Sequence, residues 1–393
     1  MSRATEALVT HQVLKWARQR RNISEADVAK RLGTSPDKVR SWEAESGDTH
    51  PTFRQAQNIA GVLNVPLGYL FLSEPPSLTT ELPDLRTVSG APVQNPSPDF
   101  LDQLFDVLRK QEWFSEFRES QEAEPVAFIG RYSLDTPPGV IAEDIRNVIG
   151  IDGEMRRRAG SWEAFLTAFV RRAEAAGVLV FRSGVVSGNT HRPLSVEEFR
   201  GFALSDEFAP AIFINSKDYK VAQTFTIAHE LAHLWIGQSG VSNLNYALPP
   251  GQQINHIDRF CDKIAAEVLV PEADFLNRWD TSTETHDNVQ ALSRHYRVSR
   301  FVILRRAFET ELVAQSEFDA LYNNYRDDYH EPSGDGGDFY NLFFARNSTS
   351  LTFALLSATA EGQVSRLDAA RLLNVRVQTV EKARAELLGK GNE

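Results

Sequence analysis

Apolar and polar positions alternate at helical spacing from the start of the chain, with Val13, Leu14 and Trp16 opening an amphipathic stretch. Short apolar groups separated by turn residues continue to about residue 72, which predicts a set of short helices. Pro75-Pro76-Ser77 through Pro83, then Gly90-Ala91-Pro92 to Pro96-Ser97-Pro98, lacks periodicity and reads as a linker. A helix is expected over Phe100–Glu119, with Leu101, Leu104, Phe105, Leu108 and Trp113 on its apolar face. Beyond it the period changes. A helix predicted over Trp162–Ala176 leads to three β-rich runs, Gly177–Phe181, Phe202–Leu204 and Ala211–Ile214, each bounded by Gly, Pro, Asp or Asn. From about Asn288 the pattern is mostly helical, with a break at Pro332-Ser333-Gly334-Asp335-Gly336-Gly337.

These elements predict a multidomain protein, mainly α with an α+β centre. The expected division is residues 1–76, a linker and helical spacer over 77–155, an α+β domain over 156–280, a helical extension over 281–330 and a helical C-terminal subdomain over 331–393. A chain of 393 residues is long enough for two or three cores of ordinary size.

Charge sharpens this division. The whole chain carries −11, yet residues 1–72 hold ten basic against seven acidic side chains, a local excess of about +3. A uniformly acidic surface repels phosphate, so nucleic-acid contact is expected from the N-terminal region. A single cysteine, Cys261, excludes an internal disulfide framework and a cysteine-rich metal site. The polar start Met1-Ser2-Arg3-Ala4-Thr5-Glu6 and the lack of a long apolar run lead to the expectation of a cytoplasmic protein without a membrane partner.

Within residues 23–43, Ser24 caps a helix that buries Val28, Ala29 and Leu32, and Gly33 allows a sharp turn. Ser35 caps a second helix with Pro36 at its first position, anchored by Val39 and Trp42. Ser35, Asp37, Lys38, Arg40 and Ser41 are left on an exposed face sized for a major groove. With the downstream Pro51–Ala56 and Val65–Phe71, residues 10–72 resemble XRE-type, lambda-repressor-like helix-turn-helix domains. The resemblance implies a five-helix fold, a double-stranded DNA operator and a homodimer.

The other chemical signal is Thr226-Ile227-Ala228-His229-Glu230-Leu231-Ala232-His233-Leu234-Trp235. Two histidines four apart project from one side of a helix and can share Zn²⁺, while Glu230 between them can take a proton from metal-bound water. A catalytic zinc takes three protein ligands, and Ile236 and Ser239 stand where a glycine and a third histidine would extend the motif. An acidic third ligand follows. Residues 258–271 read as a second buried helix stopped before Pro271, with Ile257, Cys261, Ile264, Ala265 and Val268 on its stripe. Asp258 and Asp262 lie one turn apart, whereas Glu267 is half a revolution from Asp258 and cannot face the same ion.

Residues 160–275 resemble the ImmA/IrrE family of metallopeptidases, whose signature couples His-Glu-x-x-His to a later Glu-x-x-Ala-Asn helix ending at proline. The resemblance implies a zincin-like domain and assigns the third ligand to Asp258 and the family's asparagine to Asp262; both are departures. Asp262 is alternatively expected to orient a ligand. Tyr219, Tyr246 and His256 lie near the motif without a readable role, Cys261 is expected in the core, and Arg156-Arg157-Arg158 on a solvated face.

Together these readings imply a DNA-binding regulator carrying a zinc endopeptidase that cleaves a repressor-type protein. The alternative is a non-enzymatic repressor or antitoxin, paired with a toxin, whose zinc-like domain senses or binds a partner. Residues 292–306 and 369–380 each suggest helix, turn, helix, for which packing or dimerisation is preferred over a second DNA contact.

Overall fold

A computed structural model describes residues 6–21, 23–44, 49–63, 65, 67–76, 96–242, 256–327 and 338–390. Residues 77–95 of the expected linker, Tyr246 and the break at Pro332–Gly337 lie outside the described residues. Two compact units separate, the first comprising the described residues up to 76 with 96–101, the second those from 102 onward.

In the first unit the short helices are α1 (His11–Arg20), α2 (Glu25–Leu32), α3 (Pro36–Glu43) and α4 (Phe53–Leu63), followed by a 3-10 helix at Leu67–Phe71. Their starts and stops are local. Ser24 Oγ accepts from the Asp27 amide and Ser35 Oγ from the Lys38 amide, each satisfying a donor that has no partner within its helix. Gly33 ends α2 in the left-handed region (φ 65°), where a Cβ would be strained. The apolar faces of all four helices meet in one core containing Leu14, Ala17, Val28, Ala29, Val39, Trp42, Ile59 and Leu63. A two-pronged pair from Arg18 to Glu43, 2.7 Å on each prong, ties α1 to the end of α3.

The second unit begins within α5 (Pro98–Ser120). Of the five apolar residues expected inside, only Leu104 is buried; the buried face is instead Gln103, Leu104, Asp106, Val107, Lys110, Gln111 and Phe114. Specific partners make a polar inner face tolerable. Lys110 Nζ donates to Asp106 Oδ2 at 2.6 Å, Gln111 donates to the carbonyls of Leu204 and Ala209, and Gln103 Oε1 accepts from the Ser187 amide.

Three helices follow, α6 (Pro138–Ile149), α7 (Gly153–Ala159) and α8 (Trp162–Ala175), then strands β1 (Leu179–Ser183), β2 (Gly201–Leu204) and β3 (Ala211–Asn215). Helix α9 (Lys220–Trp235) precedes the short strand β4 (Gly240–Ser242). The sheet order is β1-β3-β2-β4, with β1 parallel to β3 and β2 antiparallel to both β3 and β4. All five residues of β3 are buried, as expected of a central strand covered on both faces.

After α10 (His256–Leu269) and α11 (Glu272–Arg278), helices α12 (Thr285–Tyr296), α13 (Arg300–Glu309) and α14 (Gln315–Asp327) continue the same core. That core takes in Phe128 and Ile141–Ile151 as well as Val289–Tyr325, so the α+β centre is enclosed by helices on both sides of it in sequence. The last helices, α15 (Phe339–Asn347), α16 (Thr349–Ala360), α17 (Arg366–Leu372) and α18 (Val377–Lys390), share a smaller core of Phe343, Leu355, Leu356, Ala369, Ala370, Leu373, Val380 and Ala383. No helix among the described residues is long and apolar enough to cross a membrane.

Candidate metal centre and helix-turn-helix

Helix α9 contains neither Gly nor Pro, and residues 223–235 are buried without interruption. It packs against β2, β3, α8 and α10, so a polar side chain on any face must find a purpose inside the protein. On the side toward α10, His229 and His233 converge with Asp258, their ligand-capable atoms all lying within 4.8 Å of one another. The two Nε2 atoms are 3.0 Å apart, and Asp258 Oδ1 lies 3.3 Å from His233 Nε2 and 3.9 Å from His229 Nε2. Ligand atoms bound at about 2.0–2.1 Å around a tetrahedral ion stand roughly 3.3 Å apart, so the triangle has the right size. Asp258 Oδ2 is buried without a hydrogen-bond partner among the described residues, a costly arrangement that a cation relieves. The donor set therefore fits a metal ion.

Asp262, one turn along α10 from Asp258, does not join the triangle. Its Oδ1 lies 2.9 Å from His229 Nδ1, the nitrogen opposite the cluster. A carboxylate there accepts a hydrogen bond from Nδ1–H and leaves the Nε2 lone pair free toward an ion, which fixes the tautomer and the ring. Burial opposes protonation of His229, yet the hydrogen bond to Asp262 and the charges of Asp262, Glu230 and Asp258 outweigh it and hold its pKa above the ordinary value. Burial dominates at His233 and lowers it. Glu267 points elsewhere and pairs with Arg306 at 2.8 Å. Cys261 lies in the core, where burial raises its thiol well above the ordinary range. His256, the first residue of α10, is exposed, and Tyr219 immediately precedes α9.

Glu230 is wholly buried on α9 beside β2. Two glycines permit this closeness. A Cβ on Gly201 of β2 would stand 2.7 Å from Glu230 Oε1, 2.7 Å from the Thr226 methyl and 2.9 Å from the Phe213 carbonyl oxygen. One on Gly240 of β4 would meet the His233 ring at 3.1 Å. Reading the sequence did not single out either residue, although an isolated glycine in a strand is the ordinary sign of a close approach. Gly201→Ala is expected to destabilise the second unit by about 1–3 kcal/mol through overpacking, read as a lower urea midpoint. An unchanged midpoint would mean that the strand and helix separate freely here.

In the first unit, α3 presents Ser35, Asp37, Lys38 and Arg40 to solvent, with Ser41 partly covered. Ser35 is occupied as the cap, and Ser41 Oγ donates to the Lys38 carbonyl at 2.7 Å. Arg40 is held by carboxylates, 2.8 Å from Glu25 and 2.9 Å from Asp37, whereas Lys38 has no side-chain ion pair among the described residues. Residues predicted together are thus on one face, but their charges are differently available.

The folds and sites define a helix-turn-helix protein with a metallopeptidase-like domain. Comparison with family models agrees: residues 14–70 match a helix-turn-helix family and residues 173–308 match the IrrE N-terminal-like domain of a peptidase family. The chain thus joins an XRE-type helix-turn-helix domain to an ImmA/IrrE-type metallopeptidase-family domain. No curated protein and no solved structure matched it.

Proposed function

We propose that this chain is a DNA-binding transcriptional regulator whose central domain is a zinc-dependent endopeptidase acting on a repressor-type protein. The observation that carries the peptidase half is the convergence of His229, His233 and Asp258, with Asp262 aligning His229 from behind and the charge of the buried Glu230 acting on His229. His229, His233 and Asp258 would hold the ion. Two nitrogens and one carboxylate oxygen at tetrahedral spacing suit zinc better than the all-oxygen sets of calcium or magnesium. A bound zinc polarises a carbonyl and lowers the pKa of water to about 7. Glu230 would be the group that accepts a proton from the attacking water and passes it to the leaving amine. Asp262 holds His229 in the tautomer that leaves Nε2 unprotonated, and the apolar wall of α9 and α10 keeps bulk water away.

Support for the DNA half is the exposed face of α3 in a locally basic unit of an acidic chain. Lys38→Ala with Arg40→Ala is expected to weaken binding to an operator duplex about tenfold and to flatten its salt dependence by up to two counterions, as read by fluorescence anisotropy. Since Glu25 and Asp37 already hold Arg40, most of the loss is expected from Lys38. Binding unaffected by the double change would remove α3 as the recognition helix. For the peptidase half, metal analysis of the purified protein is paired with cleavage of candidate repressors; a chain without bound metal would overturn the site.

A further inference from the structure

The C-terminal α17–α18 pair repeats the capping, turn and core positions of the N-terminal α2–α3 pair, at a constant separation of 341 positions. Ser24 caps α2 by accepting from the Asp27 amide and donating to the Asp27 carboxylate at 2.6 Å. Ser365 caps α17 identically through Asp368, again with 2.6 Å to the carboxylate. The turn after α2 uses Gly33 at φ 65°, and that after α17 uses Asn374 at φ 55°, the residue type that best tolerates this region after glycine. The amide of Thr34 closes on the carbonyl of Ala29 at 2.9 Å, and that of Val375 closes on Ala370 at 2.9 Å. Val28, Ala29, Val39 and Trp42 are buried in one pair; Ala369, Ala370, Val380 and Ala383 are buried in the other.

The ion pair between the two helices is conserved in position and inverted in sign. Glu25 of α2 meets Arg40 of α3 at 2.8 Å, while Arg366 of α17 meets Glu381 of α18 at 2.7 Å. With α16 ahead of it and a core of its own, the C-terminal pair has the support a three-helix DNA-binding unit requires.

The same fold could bind protein, so the surface must choose the occupant. Residues 365–390 carry six basic against three acidic side chains, in a chain of net charge −11. Two of the three acids, Asp368 and Glu381, are taken up by the cap and by Arg366. Arg376, Gln378 and Lys382 lie exposed at the entry to α18 and along it, and Arg371 and Arg384 are exposed on flanking positions. Cations suit phosphate, and a glutamine in the first turn suits the edge of an adenine.

We propose that α17–α18 is a second double-stranded-DNA-binding unit, with α18 entering a major groove and Arg376, Gln378 and Lys382 facing the duplex. The test uses the full-length protein and a fluorescein-labelled random-sequence duplex of roughly 40 base pairs, titrated over a range of salt by anisotropy. Arg376→Ala with Lys382→Ala is expected to weaken binding about tenfold and to flatten the slope against log salt by up to two counterions, whether or not Lys38 and Arg40 are intact. Gln378→Lys is expected to do the reverse, tightening binding and steepening the slope. Because all three side chains are exposed, the melting temperature should not move. Binding and slope equal to wild type in both variants would overturn the proposal. So would a weakened affinity accompanied by loss of a dimer in sedimentation, which would mark α18 as a surface between two copies. Loss confined to the Lys38 and Arg40 variants would leave the N-terminal reading intact while removing this one.

Discussion

Glu230→Gln is expected to leave the metal content of the purified chain unchanged while slowing peptide-bond hydrolysis by a factor on the order of 10²–10⁴. The substitution preserves volume and shape at a wholly buried position, so neither α9 nor the packing against Gly201 should be disturbed. What it removes is the ability to take a proton. His233→Ala should behave differently, losing the ion along with activity, because it deletes a corner of the triangle with Asp258 and His229. Metal content by mass spectrometry and hydrolysis of a peptide library separate the two outcomes. A Glu230→Gln protein that cleaves at the wild-type rate would exclude Glu230 as the base, and one that has lost its metal would place Glu230 among the ligands.

The contrast between Glu230 and Asp262 shows how much of this site could be read from sequence. Four-residue spacing on one helix sets His229 and His233 on the same side whatever surrounds them, so that half of the cluster was legible. The acidic partner depended on which face of α10 meets α9, which no local pattern determines. Asp258 and Asp262, one turn apart, divide the work: one faces the imidazole nitrogens of both histidines, and the other the back of His229 alone. In the same way, Ser24, Gly33 and Ser35-Pro36 act on their own backbone and announced the turn between α2 and α3. The strands at residues 202–204 and 211–214 were legible too, as short β-rich runs between turn formers.

Elements whose inner faces are polar were misread. The helical period along residues 100–119 was correct, but hydrophobicity selected the wrong face of α5. Lys110 and Asp106 cancel each other's charge inside, and Gln111 satisfies the carbonyls of Leu204, at the end of β2, and Ala209, so these side chains are buried while Phe105 and Leu108 are only half covered. Burial, the largest cause, lowers the pKa of Lys110 with help from the nearby Arg109 charge, and Asp106 opposes that shift. Patterning detects removal of apolar area from water; it does not register a polar group that a distant partner has already satisfied.

Arg156→Ala is the substitution expected to cost the most stability, about 3–5 kcal/mol in the second unit. In the run Arg156-Arg157-Arg158, expected on a solvated face, the last two are exposed and Arg156 is buried. The reason lies at the end of α10. A helix leaves its last carbonyls without intrahelical donors, and Pro271 prevents the chain from supplying the next one. Three arginines do so instead. Arg146 donates to the Glu267 carbonyl, Arg156 to those of Val268 and Leu269, and Arg306 to that of Val270. Arg156 also reaches the Tyr296 carbonyl at 3.2 Å and lies over the rings of Phe165 and Tyr296, joining α7, α8, α10 and α12. Burial lowers its pKa to about 10, which still leaves it protonated at neutral pH. Removing it strands buried carbonyls at two helix ends, each costing about 1–3 kcal/mol, and opens a cavity between the rings. Arg156→Lys should recover only part of the loss, since one ammonium cannot reproduce the planar fork across three carbonyls. Arg157→Ala, on the exposed side of the same helix, should be nearly neutral. Chemical denaturation of the three variants tests this order; Arg156→Ala as harmless as Arg157→Ala would mean that the end of α10 is held by packing alone.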